Sequence, residues 1–507
     1  MRGPSSSHVA AAARIGRLIR MSCPEGIRSV KVDFDPTGSL AESYHGHGSD
    51  IGLVSGLLGM ELTDSRVGDA LTIAREVGLD VSFRILEYGA VHPNNYRMEV
   101  TSCNGETACW EAISTGGGMI ELWKLDGCQL SVLGDYHELI VCCGADDLPA
   151  VKAALEKIPE EEVTASSCGD RGLVDIKTLR AVEEQVVSEI ERMPGVQRVI
   201  RLTPILPTTS RADCTVPFRT AEEMLAYAKG KDLEMWQLAA LYESQRGGTT
   251  EEAVEKKMSA LADIMENAVA EGLRGTTYED RILGPQAHLM DHPPKNKLFP
   301  AELTRRIIRN ITAVMEVKSS MGVIIAAPTA GSCGCLPGTV TAVVETLGLE
   351  RKDMVHGLLA AGLIGVFVAE QATFAAEVAG CQAECGVGSA MAAAAITQML
   401  GGTVEQCVDA ASMALQNVTG LACDPVANRV EVPCLGKNVM GGSNALASAA
   451  MALAGYDKVV PLDQTIQAMY DIGQKLPLEL RCTYGGLGKT AASAEILKRL
   501  QEIEKKQ

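Results

Sequence analysis

The pattern of apolar and polar positions begins with a region that mixes strands and helices. Alternation of apolar with polar residues predicts strands at 29–34, 79–86 and 96–100. Helical spacing of apolar residues predicts helices at 9–20 and 51–59. These elements together predict a small α/β domain at the start of the chain.

A second mixed region follows, with the order strand–helix–strand–helix–strand. Its strands are predicted at 139–143, 173–176 and 197–202, and its helices at 148–158 and 181–193. This size and order are typical of a regulatory ligand-binding module, which we describe as ACT-like.

Nearly every pattern after this point is helical. Prolines and small polar residues at 206–216 predict a linker. The predicted fold class is an α/β N-terminal region, made of a small domain (1–127) and an ACT-like α/β sandwich (128–205), followed by an all-α domain (217–507). Helices of the last domain are predicted at 221–229, 235–246, 250–271, 301–319, 337–348, 353–370, 388–399, 404–418, 440–454 and 460–473.

Composition and charge narrow the classes of partner. Of the 507 residues, 46% are hydrophobic and 22% charged, as is ordinary for a soluble globular protein. The net charge of −18 argues against nucleic acid, because a phosphate backbone needs a basic surface. The most apolar run, 357–369, is shorter than the roughly 20 residues that span a bilayer, and the N-terminus lacks the apolar core of a signal peptide. We expect a cytoplasmic chain with no nucleic-acid or membrane partner.

Three cysteines stand out among the sixteen in the sequence. Cys381, Cys423 and Cys434 lie in glycine- and proline-rich breaks between alanine-rich helices, a setting typical of metal ligands. Three thiolates can hold an iron–sulfur cluster and leave one iron open as a Lewis acid. Spacing alone leaves two interpretations open, a metal site or buried structural thiols. Cys385 could be a fourth ligand or a neighbour.

Short segments spread over nearly the whole chain carry a family resemblance. The chain resembles the iron–sulfur L-serine dehydratases, in the single-chain form with the small domain first. The matching segments are 3–8, 46–48, 92–94, 320–322, 326–331, 336–337, 380–384, 423–425, 433–434 and 485–487.

The resemblance implies a cofactor and its ligands. Cys381, Cys423 and Cys434 would bind a [4Fe–4S] cluster, and no pyridoxal phosphate would be needed. Cys385 stands where the family usually has an apolar residue, which favours packing for this thiol.

The resemblance also implies catalytic and substrate-binding residues. His47, between two glycines in a setting we expect to be exposed, would be the general base, because a pKa near neutrality suits proton transfer. His8 would contact the substrate or the leaving group. Lys437 stands where the family commonly has arginine, and Lys318 where it often has asparagine. These two departures leave open which amino acid is the substrate. The substrate-binding residues would be Ser5, Ser6, Ser7, Asn94, Thr329, Ala330, Gly331, Lys437 and Asn438.

The implied activity is an oxygen-sensitive elimination of water from L-serine, giving pyruvate and ammonia. The partner would be a small amino acid, and a homodimer is expected. One alternative is an L-cysteine desulfidase that uses the same cluster and releases sulfide. A second alternative is a non-catalytic amino-acid sensor with a structural cluster.

Overall fold

The computed structural model describes residues 6–160, 162–206, 215–291, 302–483 and 485–504. It divides into two compact units. One unit comprises residues 8–214, and the other comprises 215–507 together with 1–7. The predicted α/β N-terminal region and helical C-terminal region are confirmed. Most of the predicted linker lies outside the described residues.

The first sheet has six strands, of which only the first two in chain order pair in parallel. Helices cover one face and share an apolar core with it. The strands are β1 (Ile27–Phe34), β2 (Asp80–Ile85), β3 (Asn95–Ser102), β4 (Thr107–Gly116), β5 (Met119–Leu125) and β6 (Cys128–Val132). The helices are α1 (Ser6–Met21), α2 (Leu40–Ser43), α3 (Ser49–Leu57) and α4 (Ala70–Glu76). The spatial order is β2-β1-β3-β4-β5-β6.

The second sheet is antiparallel and forms the ACT-like module. Its elements are β7 (His137–Gly144), α5 (Leu148–Leu155), β8 (Glu162–Cys168), β9 (Arg171–Thr178), α6 (Glu184–Glu191) and β10 (Val196–Leu202), in the spatial order β10-β7-β9-β8. The two helices pack on one face. The other face contributes Ile140, Leu173 and Ile200 to the core of the first sheet. The sequence pattern missed β8, and the strand from residue 128 pairs within the first sheet, so this sheet begins at His137.

The second unit contains all ten predicted helices and two more, α13 and α18. The helices are α7 (Ala221–Ala228), α8 (Met235–Gly247), α9 (Glu251–Arg274), α10 (Glu302–Ser319), α11 (Cys335–Leu347), α12 (Arg351–Gln371), α13 (Ala376–Ala379), α14 (Cys385–Met399), α15 (Val404–Gln416), α16 (Cys434–Leu453), α17 (Leu462–Lys475) and α18 (Ala491–Glu504). Helix α16 begins at Cys434 rather than at residue 440.

Helix α14 is the centre of this unit, because all of its residues are buried. Its alanine-rich surface contacts α12, α15 and α16. On α16, a Cβ added to Gly441 would lie only 3.3 Å from the carbonyl oxygen of Cys385. Helix α16 therefore packs closely against the backbone of the first turn of α14. Helix α12 is long and apolar enough to cross a membrane by length and composition, but 72% of its most apolar window is buried within the protein.

Candidate metal centre

Four cysteines from three segments of the helical unit pack together. Cys381 begins a 3-10 turn (Cys381–Ala383), and Cys385 is the first residue of α14. These two thiols and Cys423 are buried in one apolar cluster, against which Cys482 packs. All four thiols are free of disulfide bonds.

Backbone contacts hold these cysteine segments in place. The N–H of Cys423 donates to the carbonyl oxygen of Leu480 at 2.8 Å, and the N–H of Cys482 donates to that of Cys423 at 2.9 Å. Gly380, just before Cys381, has φ 74°. A Cβ at Gly380 would lie 2.6 Å from the Leu476 side chain, so this turn requires glycine.

The electrostatics of the group favour one thiolate. Hydrogen bonds from the thiols of Cys385 and Cys423 hold the pKa of Cys381 well below its ordinary value, and Lys437 lowers it further. The pKa values of Cys385 and Cys423 are raised, first because each shares its proton with Cys381 and then because both are buried. A deprotonated thiol is the form that binds metal.

Cys434 lies at the first residue of α16, in a neighbouring apolar cluster that also contains Cys333. Burial raises the pKa of Cys434, and the negative charge at Cys381 raises it further, so the two thiols interact electrostatically. The three cysteines predicted as ligands are thus in one region, with Cys385 and Cys482 beside them.

The donors at this site are thiols, the ligands that iron–sulfur clusters use. Across the described ranges, no three His, Cys, Asp or Glu side chains are arranged to hold one metal ion. In an iron–sulfur cluster each thiolate binds a different iron, so the donors surround a larger group. Buried thiols at the ends of several elements, one of them favoured as thiolate, fit that requirement.

Asn438 connects the first turn of α16 to the loop before α11. Its Nδ2 donates to the carbonyl oxygens of Gly331 at 2.7 Å and Cys434 at 2.8 Å. Its Oδ1 accepts from the N–H groups of Gly334 at 3.1 Å and Cys335 at 2.9 Å. The side chain is fully buried, so it uses its whole hydrogen-bonding capacity to fix the loop relative to a predicted ligand.

Glu384 lies between Cys381 and Cys385 in the sequence, and its side chain faces the loop before α11. The hydroxyl of Thr329 donates to its carboxyl group at 2.7 Å. A Cβ at Gly331 would lie 2.9 Å from the same group, so a larger residue there would displace the Glu384 side chain. Burial raises the pKa of Glu384 well above its usual range, and the charge at Cys381 raises it further. Both effects disfavour the charged form of this carboxyl group.

The two lysines that depart from the family pattern already have protein partners. Lys437 donates to Ala422 O at 2.6 Å and to Asp424 Oδ1 at 3.0 Å, on both sides of Cys423. Burial lowers the pKa of Lys437, but the charge at Cys381 and the bond to Asp424 outweigh it, and the net shift is upward. Lys318 is fully buried and donates to the carbonyl oxygen of Val430.

In the α/β unit, the rings of His8 and His47 are in contact, with centroids 4.5 Å apart. Both are buried, so the expectation that His47 is exposed is wrong. The reason is close helix packing: a Cβ at Gly52 would lie 2.4 Å from the carbonyl oxygen of Val9. This contact brings α1 against the start of α3 and covers the imidazole of His47.

The other predicted residues of the N-terminal region are only partly described. Ser5 lies outside the described residues. Ser6 and Ser7 begin α1, but their side chains lie outside the description. Asn94 is buried and accepts a hydrogen bond from the hydroxyl of Ser39.

Two residues at the metal centre were not predicted. Glu384 is part of a segment that carries the family resemblance, so its position was a signal that the sequence analysis did not use. Cys482 had no such signal, because only the pairing of its segment with Cys423 brings it to the group.

Comparisons with known proteins identify the family of the helical region. A family model described as the serine dehydratase alpha chain matches residues 230–487. The probable L-serine dehydratase alpha chain of Bacillus subtilis is 41% identical over 285 residues, which cover 56% of this chain and 95% of that protein. The L-serine dehydratase of Streptomyces coelicolor is 26% identical over 496 residues, 96% of this chain and 95% of that protein.

A second protein of Bacillus subtilis, the probable L-serine dehydratase beta chain, is 32% identical over 208 residues. This match covers 40% of this chain and 93% of that protein. The chain belongs to the serine dehydratase alpha chain family, and all four grouped cysteines lie within the region that the family model matches.

Replacing Asn438 by alanine should destabilise the helical unit. The variant leaves two N–H groups and two carbonyl oxygens without their partner. Each group that stays buried and unpaired lowers the free energy of unfolding by about 1–3 kcal/mol. We expect a lower denaturation midpoint in urea, measured by circular dichroism. The control is Asn417→Ala, which removes an exposed asparagine bonded only to Asn444. Equal midpoints for the two variants would contradict the role given to Asn438.

Proposed function

We propose that this protein is an L-serine dehydratase that eliminates water from L-serine to give pyruvate and ammonia. The observation that carries the proposal is the group of buried, free thiols within the region matched by the serine dehydratase family model. The relative that matches over 96% of this chain is named L-serine dehydratase, and the relative that matches over 56% is named probable L-serine dehydratase alpha chain. Both names support the same substrate.

We assign the cofactor as a [4Fe–4S] cluster bound by Cys381, Cys423 and Cys434. With three protein ligands, such a cluster supplies an iron that can act as a Lewis acid toward a substrate oxygen. Cys385 and Cys482 lie beside the predicted ligands and are the other candidates for a thiolate contact. The low pKa of Cys381 supports its assignment as a ligand.

The loop of Thr329, Ala330 and Gly331 is our candidate for binding the amino acid. Its backbone is fixed from both sides, by Asn438 and by the packing of Gly331 against Glu384. A loop held in this way can orient a small substrate without losing conformational entropy on binding. The carboxyl group of Glu384 accepts a hydrogen bond from the Thr329 hydroxyl and so positions the loop.

We assign removal of the Cα proton to His47 and a supporting contact to His8. The ring contact between the two imidazoles restrains His47 in one orientation. Proton transfer by a positioned histidine contributes typically about 10²–10⁴-fold to a rate. A cytoplasmic location and a homodimer are further parts of this proposal, and the homodimer rests on the family resemblance.

The substrate assignment predicts a clear order of activities. Anaerobically purified protein should release pyruvate from L-serine faster than it releases 2-oxobutanoate from L-threonine or pyruvate from L-cysteine. A coupled lactate dehydrogenase assay measures both 2-oxo acids. Sulfide release from L-cysteine at the higher rate would favour the desulfidase alternative. Binding of amino acids without turnover, with iron and sulfide present in the protein, would favour the sensor.

The ligand assignment predicts the effect of replacing Cys423 by alanine. The variant should lose most of its iron and acid-labile sulfide, its visible absorption and its activity, because one of three ligands is gone. The matched control is Cys407→Ala, which removes a buried thiol near the start of α15, outside the cysteine group. An iron content equal to that of the control would remove Cys423 from the ligand set. The same comparison with Cys434, Cys385 and Cys482 identifies the remaining ligands.

The base assignment predicts that His47→Ala separates cofactor content from turnover. Iron and sulfide should stay at the level of the unchanged protein, while kcat falls by about 100-fold or more. His45→Ala is the matched control, since His45 is in the same loop but pairs with Asp50 at 2.5 Å. A kcat for His47→Ala equal to that of the control would assign the base to another residue.

A further inference from the structure

A small cavity lies at the last two turns of α10. Thr312, Met315, Glu316 and Ser319 line it from one face of the helix, at the i, i+3, i+4 and i+7 spacing. Its volume is about 10 Å³, close to the smallest space that holds one water-sized occupant. The opposite wall includes Leu283, Gln286, Glu431 and Leu435.

Two buried carboxylates line this cavity. Glu316 is 6% exposed, and its Oε1 accepts from the N–H groups of Gln286 at 2.5 Å and Ala287 at 2.9 Å. Glu431 is 4% exposed and accepts from the N–H groups of Ile282 at 2.9 Å and Leu283 at 3.0 Å.

One carboxylate oxygen in the cavity has no partner. Glu316 Oε2 is fully buried, and no described group forms a hydrogen bond with it. Nor do Glu316 and Glu431 form an ion pair with any lysine, arginine or histidine that the structure describes. Two basic side chains of neighbouring segments form hydrogen bonds to other groups: Lys318 donates to Val430 O, and Arg281 donates to Thr276 and Ser320.

This arrangement is electrostatically incomplete without a positive ligand. The two backbone N–H groups that bond Glu316 both reach Oε1, so the buried Oε2 has lost its hydration without gaining a partner among the described residues. The cavity also lies at the C-terminal end of α10, where the helix dipole adds negative potential. Water could bridge the carboxylates, but it would leave their charge in place.

We propose that this cavity binds one hard metal cation that gives up its hydration water readily, of the class of K⁺, Na⁺ or Ca²⁺. Carboxylate, hydroxyl and backbone oxygens are the ligands such ions prefer. Mg²⁺ is disfavoured because it retains several waters, for which the cavity has no room. Glu431 precedes Cys434 by three residues, so the cation would hold the start of α16 against α10.

The test measures thermal stability against cation identity. Anaerobically purified protein is exchanged into buffer with tetramethylammonium as the only cation, and K⁺, Na⁺, Ca²⁺ or Mg²⁺ is then added at constant ionic strength. We expect a saturable rise in Tm of about 2 °C or more with at least one of the first three ions and a smaller rise with Mg²⁺. An equal Tm in all five cations would overturn the proposal and leave only a buried water.

Glu316→Gln tests whether the effect belongs to this cavity. The variant retains an acceptor for the two N–H groups but loses the charge, so the cation-dependent rise in Tm should disappear. Asp463→Asn is the matched control, because Asp463 also accepts from two backbone N–H groups, those of Ala221 and Glu222, away from the cavity. A rise that persists in Glu316→Gln would contradict the assignment. If that variant does not fold, the unchanged protein is titrated with the same cations in a calorimeter. The absence of any heat of binding would then refute the site.

Discussion

The burial of α14 on all sides is the constraint on which the helical unit depends. Fifteen consecutive residues from Cys385 to Met399 are buried, and most are small, so neighbouring helices approach closely. Close packing leaves no freedom at the first turn of the helix. Glu384 and Cys385 stand at that turn, and Cys381 begins the 3-10 turn just before it, so the core of the unit sets their positions.

Buried polar contacts extend this order to the loops. Asn438 fixes the loop before α11, and Lys437 fixes the segment of Cys423 through Ala422 and Asp424. A buried polar group without a partner is costly, so each satisfied group excludes alternative loop conformations. Rigid placement of this kind is what a metal site and a small-substrate site both require.

In the α/β unit, close helix packing fixes the positions of two predicted site residues. Glycine at Gly52 lets α1 and α3 pack backbone to backbone, which buries His8 and His47 against each other. The imidazole proposed as base is thus held by packing, and its glycine neighbours provide the tight turn around it. The ACT-like sheet shares its apolar face with the first sheet, so the α/β unit has a continuous core.

The sequence by itself determined the fold class, the ten main helices and the positions of the three predicted cysteine ligands. These features are readable because helical periodicity, helix-ending glycines and prolines, and short family segments are local in the chain. The strands β4, β5, β6 and β8 pair with neighbours close in sequence, so their alternation was a local signal that the prediction did not use. Only the tertiary structure decided the burial of His47, the grouping of Cys482 with Cys423, and the position of Glu316 and Glu431 on one cavity. Each of these three features depends on contacts between residues far apart in sequence, and no local pattern records such contacts.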